Sequence, residues 1–123
     1  MSAVASPTSR LLVVGDSLSA EYGIARGTGW VALLDAQLQK DHPNWQVVNA
    51  SISGDTTAGG LARLPHLLKQ HQPQLVVIEL GGNDALRGFS LKRTEDNLVK
   101  MIRACQAIKA KVLLVGMQVP PNY

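Results

Sequence analysis

Four short apolar runs divide the chain: Leu11 to Val14, Gln46 to Asn49, Leu75 to Glu79 and Val112 to Val115. Each is rich in Val, Leu or Ile and lacks clean alternation, the pattern of strands buried on both faces. Between them apolar residues recur near every 3.6 positions: Val31, Leu34 and Leu38; Leu61, Leu64 and Leu68; Leu98, Ile102, Cys105 and Ile108. Those spacings predict three amphipathic helices. The resulting βαβαβαβ alternation predicts a parallel sheet with right-handed crossovers and helices on both faces.

Local signals refine the boundaries. Pro65 falls inside the second helical pattern, where it removes a backbone donor, so a break near Leu64 and a restart at Pro65 are expected. In the third helix Thr94 is the expected cap, with Glu95 and Asp96 near the start and Lys109 near the end, as the helix dipole favours. His42-Pro43-Asn44 and His71-Gln72-Pro73 read as turns leading into the second and third strands.

With 123 residues, 46% of them hydrophobic, the chain suits one domain with one core. Residues 1–10 are expected to form a disordered tail and residues 11–123 the domain. No window approaches the roughly 18 uninterrupted apolar residues of a membrane span, so no stable membrane insertion is expected. Lys92, Arg93, Lys100, Arg103, Lys109 and Lys111 supply much of the net charge of +3. They follow one helix and its flanks without interleaved aromatics, which argues for a solvated face and against nucleic-acid binding. Cys105 is the only cysteine, excluding an internal disulfide and a cysteine-rich zinc site, and its place on an apolar stripe makes it core. As written, the chain lacks an apolar leader and is expected to be cytoplasmic. Ala3-Val4-Ala5 before Ser6 also fits a small-x-small cleavage site, which would make it periplasmic or secreted if a signal peptide preceded it.

Candidate chemistry gathers behind three successive strands: Ser17 after the first, Gly54 after the second and Asn83 after the third. In a flavodoxin-like sheet of order 2-1-3-4 these loops meet at the topological switch point, where such sheets bind ligands. A serine hydroxyl there is a candidate nucleophile. The Ser17 and Gly54 N–H groups and the Asn83 amide are candidate donors for the charge that develops on an attacked carbonyl. Gly54 would let the backbone approach the substrate closely.

Gly15-Asp16-Ser17-Leu18-Ser19 with Gly23, then Ser53-Gly54-Asp55, then Gly81-Gly82-Asn83-Asp84, resemble the first three blocks of the SGNH (GDSL) hydrolase family. The stretches 48–56 and 77–84 are most similar to its bacterial thioesterase I, lysophospholipase L1 and arylesterase branch, and the likeness covers nearly everything after Arg10. The resemblance implies a three-layer αβα sandwich and a cofactor-free, metal-free serine esterase or thioesterase acting on small-molecule esters. Ser17 would be the nucleophile, Ser17, Gly54 and Asn83 the oxyanion hole, and Asp16 and Asp84 would order their loops. The family's fourth block, Asp-x-x-His, supplies the base and its partner from beyond a fifth strand, and it is not among these residues. His42, His66 and His71 lack its placement. The chain is therefore expected to be a C-terminally incomplete domain without its last strand and helix. Turnover should then be weak or absent, near the roughly 10³ to 10⁴ over water that binding and an oxyanion hole provide. The fourth strand would be an exposed edge open to self-association. Two other readings stay open: a non-catalytic module holding an acyl group in the same crevice, and a phosphate or nucleotide binder using Gly15 to Ser17 as an anion nest.

Overall fold

In the computed structural model, which describes residues 9–116, a four-stranded parallel sheet runs in the order β2-β1-β3-β4. The elements are β1 (Ser9–Gly15), α1 (Trp30–Asp41), β2 (Trp45–Asn49), α2 (Thr57–His71), β3 (Leu75–Glu79), α3 (Gly82–Leu86), α4 (Leu91–Ala107) and β4 (Lys111–Leu114). This is the expected α/β architecture with the expected strand order. The tail and the small-x-small stretch at residues 1–8, like residues 117–123, lie outside the described residues.

β1 explains why the apolar runs do not alternate. Leu11 and Val13 face one side, where they pack with Val31, Val77 and the half-buried Trp30, Leu34 and Leu38 of α1. Leu12 and Val14 face the other, where Val76, Ile78, Leu64, Leu68, Met101, Cys105 and Ala110 bring α2 and α4 onto the sheet. Both faces are covered, so both sets of side chains must be apolar. Cys105 lies fully inside this second cluster, and burial pushes its thiol up to about 11.

Several details differ from expectation. β1 takes in Ser9 and Arg10, which the expected tail included; Arg10 N donates to Gln74 Oε1 at 2.6 Å and its guanidinium reaches the His71 carbonyl at 3.0 Å. α2 does not break at Pro65 but runs through it. Leu64 and Leu68, buried on either side, anchor the two halves against the same cluster, and tertiary packing overrides the missing backbone bond. α4 begins after Ser90, whose hydroxyl accepts from Arg93 N at 3.2 Å, so Thr94 is an interior residue and not the cap. Lys109 lies just past the end of α4 in the left-handed region at φ 63°. The short helix α3, which carries Asn83, replaces what reads as a loop. Among the described residues no helix is long and apolar enough to cross a membrane.

Candidate active site

The carboxyl ends of β1, β2 and β3 are laced together by the loops that leave them. Ile52 N, after β2, donates to the Gly15 carbonyl at the end of β1 at 3.0 Å. Gly15 is also paired in register with Glu79, the last residue of β3. Asn83 Nδ2, from α3 behind β3, donates to the Asp55 carbonyl at 2.9 Å, next to Gly54. The three expected loops are thus joined at one edge of the sheet.

Ser17 is half-buried on a tight turn that opens immediately after β1. The turn is shaped by the buried Asp16. Its carbonyl accepts from Ser19 N at 3.1 Å and Ala20 N at 2.9 Å, and its Oδ1 accepts from Leu18 N at 3.1 Å. An aspartate bonding its own backbone two residues on is the Asx geometry that fixes such a turn. The Ser17 carbonyl in turn takes Tyr22 N at 3.3 Å.

Gly54 is exposed at φ +81°, and a Cβ built there would meet nothing within 4 Å. The glycine is therefore required by the left-handed backbone of the turn rather than by a tight fit at that point. The following Asp55 is held by Arg63 of α2, with Nη2 2.9 Å from Asp55 Oδ2 and Nε donating to the same oxygen at 2.9 Å. Arg63 Nη1 also donates to the Ala50 carbonyl. One guanidinium thus staples both ends of the β2–α2 loop, a role sequence reasoning missed because Arg63 lies two turns into a helix.

Asn83 is half-buried in the first turn of α3, with one amide N–H on Asp55 and a second that this bond leaves available. Beside it Asp84 is 1% exposed and takes three donors: Thr57 N at 2.8 Å, Thr57 Oγ1 at 2.5 Å and Thr94 Oγ1 at 3.0 Å. Asn97 Nδ2 closes the network on Thr57 Oγ1 at 3.0 Å. A buried carboxylate with several donors, at the start of the long helix α2, is satisfied where an isolated one would be costly. Asp84 thereby fixes α3 against α2 and α4. Thr57 and Asn97 gave no sequence signal and Thr94 read as a cap, because their partner stands on another element.

Deeper still, Glu79 accepts the Ser19 hydroxyl at 2.7 Å and lies 3.4 Å from Asp16 N. Burial pushes its carboxyl up to about 7, and the neighbouring Asp16 adds to the rise. Sequence reasoning took Glu79 as the last strand residue and gave it no role.

His42 and His71 stand at the helix ends that lead into β2 and β3, at the opposite edge of the sheet, and His66 is exposed in the middle of α2. Among the described residues no group of three or more His, Cys, Asp or Glu side chains is placed to hold a metal ion. The edge around Ser17 also presents apolar side chains to solvent: Leu18, Ile24, Ile52 and Leu86 are all more than half exposed.

The model of the GDSL-like lipase/acylhydrolase family matches residues 13–123. Esterase TesA of Pseudomonas aeruginosa is 58% identical over 113 residues, covering 92% of this chain and 56% of that protein. Thioesterase 1/protease 1/lysophospholipase L1 of Escherichia coli K12 is 50% identical over 119 residues, covering 97% of this chain and 56% of that protein. A crystal structure of TesA superimposes with a TM-score of 0.90 at 58% identity, covering 93% of this chain and 63% of that one. The chain spans little more than half the length of these curated relatives. Matched along almost all of its own length in sequence and in fold, the chain belongs to the GDSL-like lipase/acylhydrolase family.

Proposed function

We propose that this chain carries the nucleophile and the oxyanion hole of a serine esterase or thioesterase. Ser17 Oγ attacks the acyl carbonyl, and Ser17 N, Gly54 N and the free N–H of Asn83 Nδ2 receive the charge that develops on its oxygen. Asp16 holds the central Ser17 turn in place and Asp84 the segment that bears Asn83. The observation that carries this reading is the Asn83–Asp55 bond, because it puts a rigid amide donor next to the Gly54 turn. The apolar rim of Leu18, Ile24, Ile52 and Leu86 fits the acyl or aryl part of the substrate. Substrates then belong to the classes named for the relatives, carboxylic esters, acyl thioesters and lysophospholipids.

A serine hydroxyl needs a base within hydrogen-bond reach, and His42, His66 and His71 are placed elsewhere. The 123 residues alone are accordingly expected to bind and polarise an ester while turning it over weakly. That placement also favours a second reading, a module that holds an acyl group without cleaving it. β4 is the edge strand of the described sheet, with Leu113 and Leu114 exposed, and we further propose that it mediates self-association of the isolated chain. Incubation of the chain and Ser17→Ala with a small activated ester and an alkyl phosphonate tests the main reading. A signal lost in Ser17→Ala supports it; equal signals reject it, and saturable ligand binding with no signal in either favours the binding module.

A further inference from the structure

The polar cluster beneath the Ser17 turn is not used by the chemistry proposed above. Glu79 is 6% exposed at the end of β3. Its Oε1 alone meets two groups of the turn, the Ser19 hydroxyl at 2.7 Å and Asp16 N at 3.4 Å. Ser19 is 1% exposed; its Oγ accepts the Trp30 indole N–H at 3.0 Å and its carbonyl accepts from Asn49 Nδ2 at 2.8 Å. Residues from β2, β3 and the start of α1 therefore converge on this one serine. Gly15 makes the room: a Cβ there would stand 2.6 Å from Ser19 Oγ and 3.0 Å from Glu79 Oε1. Ser17 lies between the two residues that share the Glu79 oxygen, one after Asp16 and two before Ser19.

We propose that Glu79 is a positioning residue for the nucleophile: its carboxyl oxygen fixes Asp16 and Ser19 on either side of Ser17, and Ser19 passes that restraint to Trp30. The proposal rests on Ser17 being the nucleophile. It also makes the turn sensitive to protons. The charged group facing Glu79 from β1 and its turn is Asp16; α1 contributes the neutral Trp30 indole, and β4 continues alongside with uncharged Val115 and Gly116. Below neutral pH Glu79 is protonated and neutral. Above it Glu79 carries a charge in a buried site, which burial and the nearby Asp16 oppose and which the Ser19 hydroxyl and Asp16 N–H favour, so its contacts with the turn change on ionisation.

The test uses protein expressed from the full reading frame. In an NMR titration from about pH 5 to 9, the Trp30 indole N–H resonance should move with a midpoint of about 7 while that of Trp45 stays put. Glu79→Gln, which keeps an acceptor for Ser19 and cannot ionise, should abolish the movement. Phosphonate labelling of Ser17 should slow about 10-fold or more in Glu79→Ala without weaker non-covalent binding, since small misplacements of a reacting group cost rate rather than affinity. Glu79→Gln, which keeps an acceptor for Ser19 and Asp16 N, should restore it. Should Glu79→Ala fail to fold, Ser19→Ala breaks the same link and should slow labelling to a similar degree. A static Trp30 resonance, an unaltered titration in Glu79→Gln, or natural labelling rates in the folded alanine variants would overturn the proposal. Equal labelling of Ser17→Ala and the natural protein would instead remove the nucleophile assignment, and the Trp30 titration would still decide whether Glu79 anchors the turn.

Discussion

The Asn83 amide has two N–H bonds, and the fold engages one of them on the Asp55 carbonyl at 2.9 Å. That bond sets the direction of the other, which is the N–H assigned to the proposed oxyanion hole. Replacing Asn83 by Ala should lower the rate of ester attack by about 10² to 10³, the loss seen when one oxyanion donor is removed, while substrate binding changes little. Steady-state kinetics with an aryl ester checks this; a change confined to KM would contradict it. Glu79 makes a second prediction at this scale. Its folded pKa of about 7 lies above the ordinary carboxyl value of 4.5, so the native state holds the proton more tightly than the unfolded chain. The stability it contributes is present below about pH 4.5 and is lost as pH rises through about 7, on the order of 1–3 kcal/mol. Urea unfolding from pH 4 to pH 8 should show this fall, and Glu79→Gln should flatten it. Ser17, Gly54 and Asn83 were legible in the sequence because each follows an apolar run. Glu79, Ser19 and Arg63 were not, because their meaning comes from partners far along the chain, and a single sequence carries no sign of such pairings.

At the level of elements, the four strands were legible to within a residue or two at their ends, since both-face burial writes itself as unbroken apolar runs. α1, α2 and α4 were legible from their 3.6-residue periods. α3 was not: five residues beginning Gly82-Asn83-Asp84 have no room for an apolar period and read as a turn. The predicted break at Pro65 failed for a different reason. Its missing N–H costs the helix one bond, but Leu64 and Leu68 pack into the same cluster on either side and hold the axis continuous. The cost of that residue is therefore still carried by the native state. Pro65→Ala should stabilise the protein, by up to about 3 kcal/mol less whatever the unfolded chain gains in freedom. A thermal melt that moves up supports this, and one that moves down shows that Pro65 packs in a way that alanine cannot replace. The mistaken cap at Thr94 has a similar origin: Ser90 offers the nearer hydroxyl, and Thr94 is drawn inward by Asp84.

Across the whole molecule, the order β2-β1-β3-β4 places β1 between β2 and β3, so the loops bearing Ser17, Gly54 and Asn83 meet at one edge as a matter of topology. The strand order was legible only through the resemblance and the rule for parallel sheets; the hydrophobic pattern alone reached no further than a parallel α/β sheet. β4 ends the described sheet, with Leu113 at 55% and Leu114 at 45% exposure, and an apolar strand edge of this kind pairs with others. Sedimentation of the 123-residue chain should show association that rises with concentration, and Leu113→Lys should reduce it; a concentration-independent monomer would contradict the proposal. The proposed oxyanion hole requires that one carbonyl oxygen touch donors from three loops at once. A crystal structure of the phosphonate adduct measures this most directly. Phosphorus should be bonded to Ser17 Oγ, with one phosphonyl oxygen about 3 Å from Ser17 N, Gly54 N and Asn83 Nδ2. An adduct on another residue, or one on Ser17 whose oxygens all point away from those donors, would contradict it.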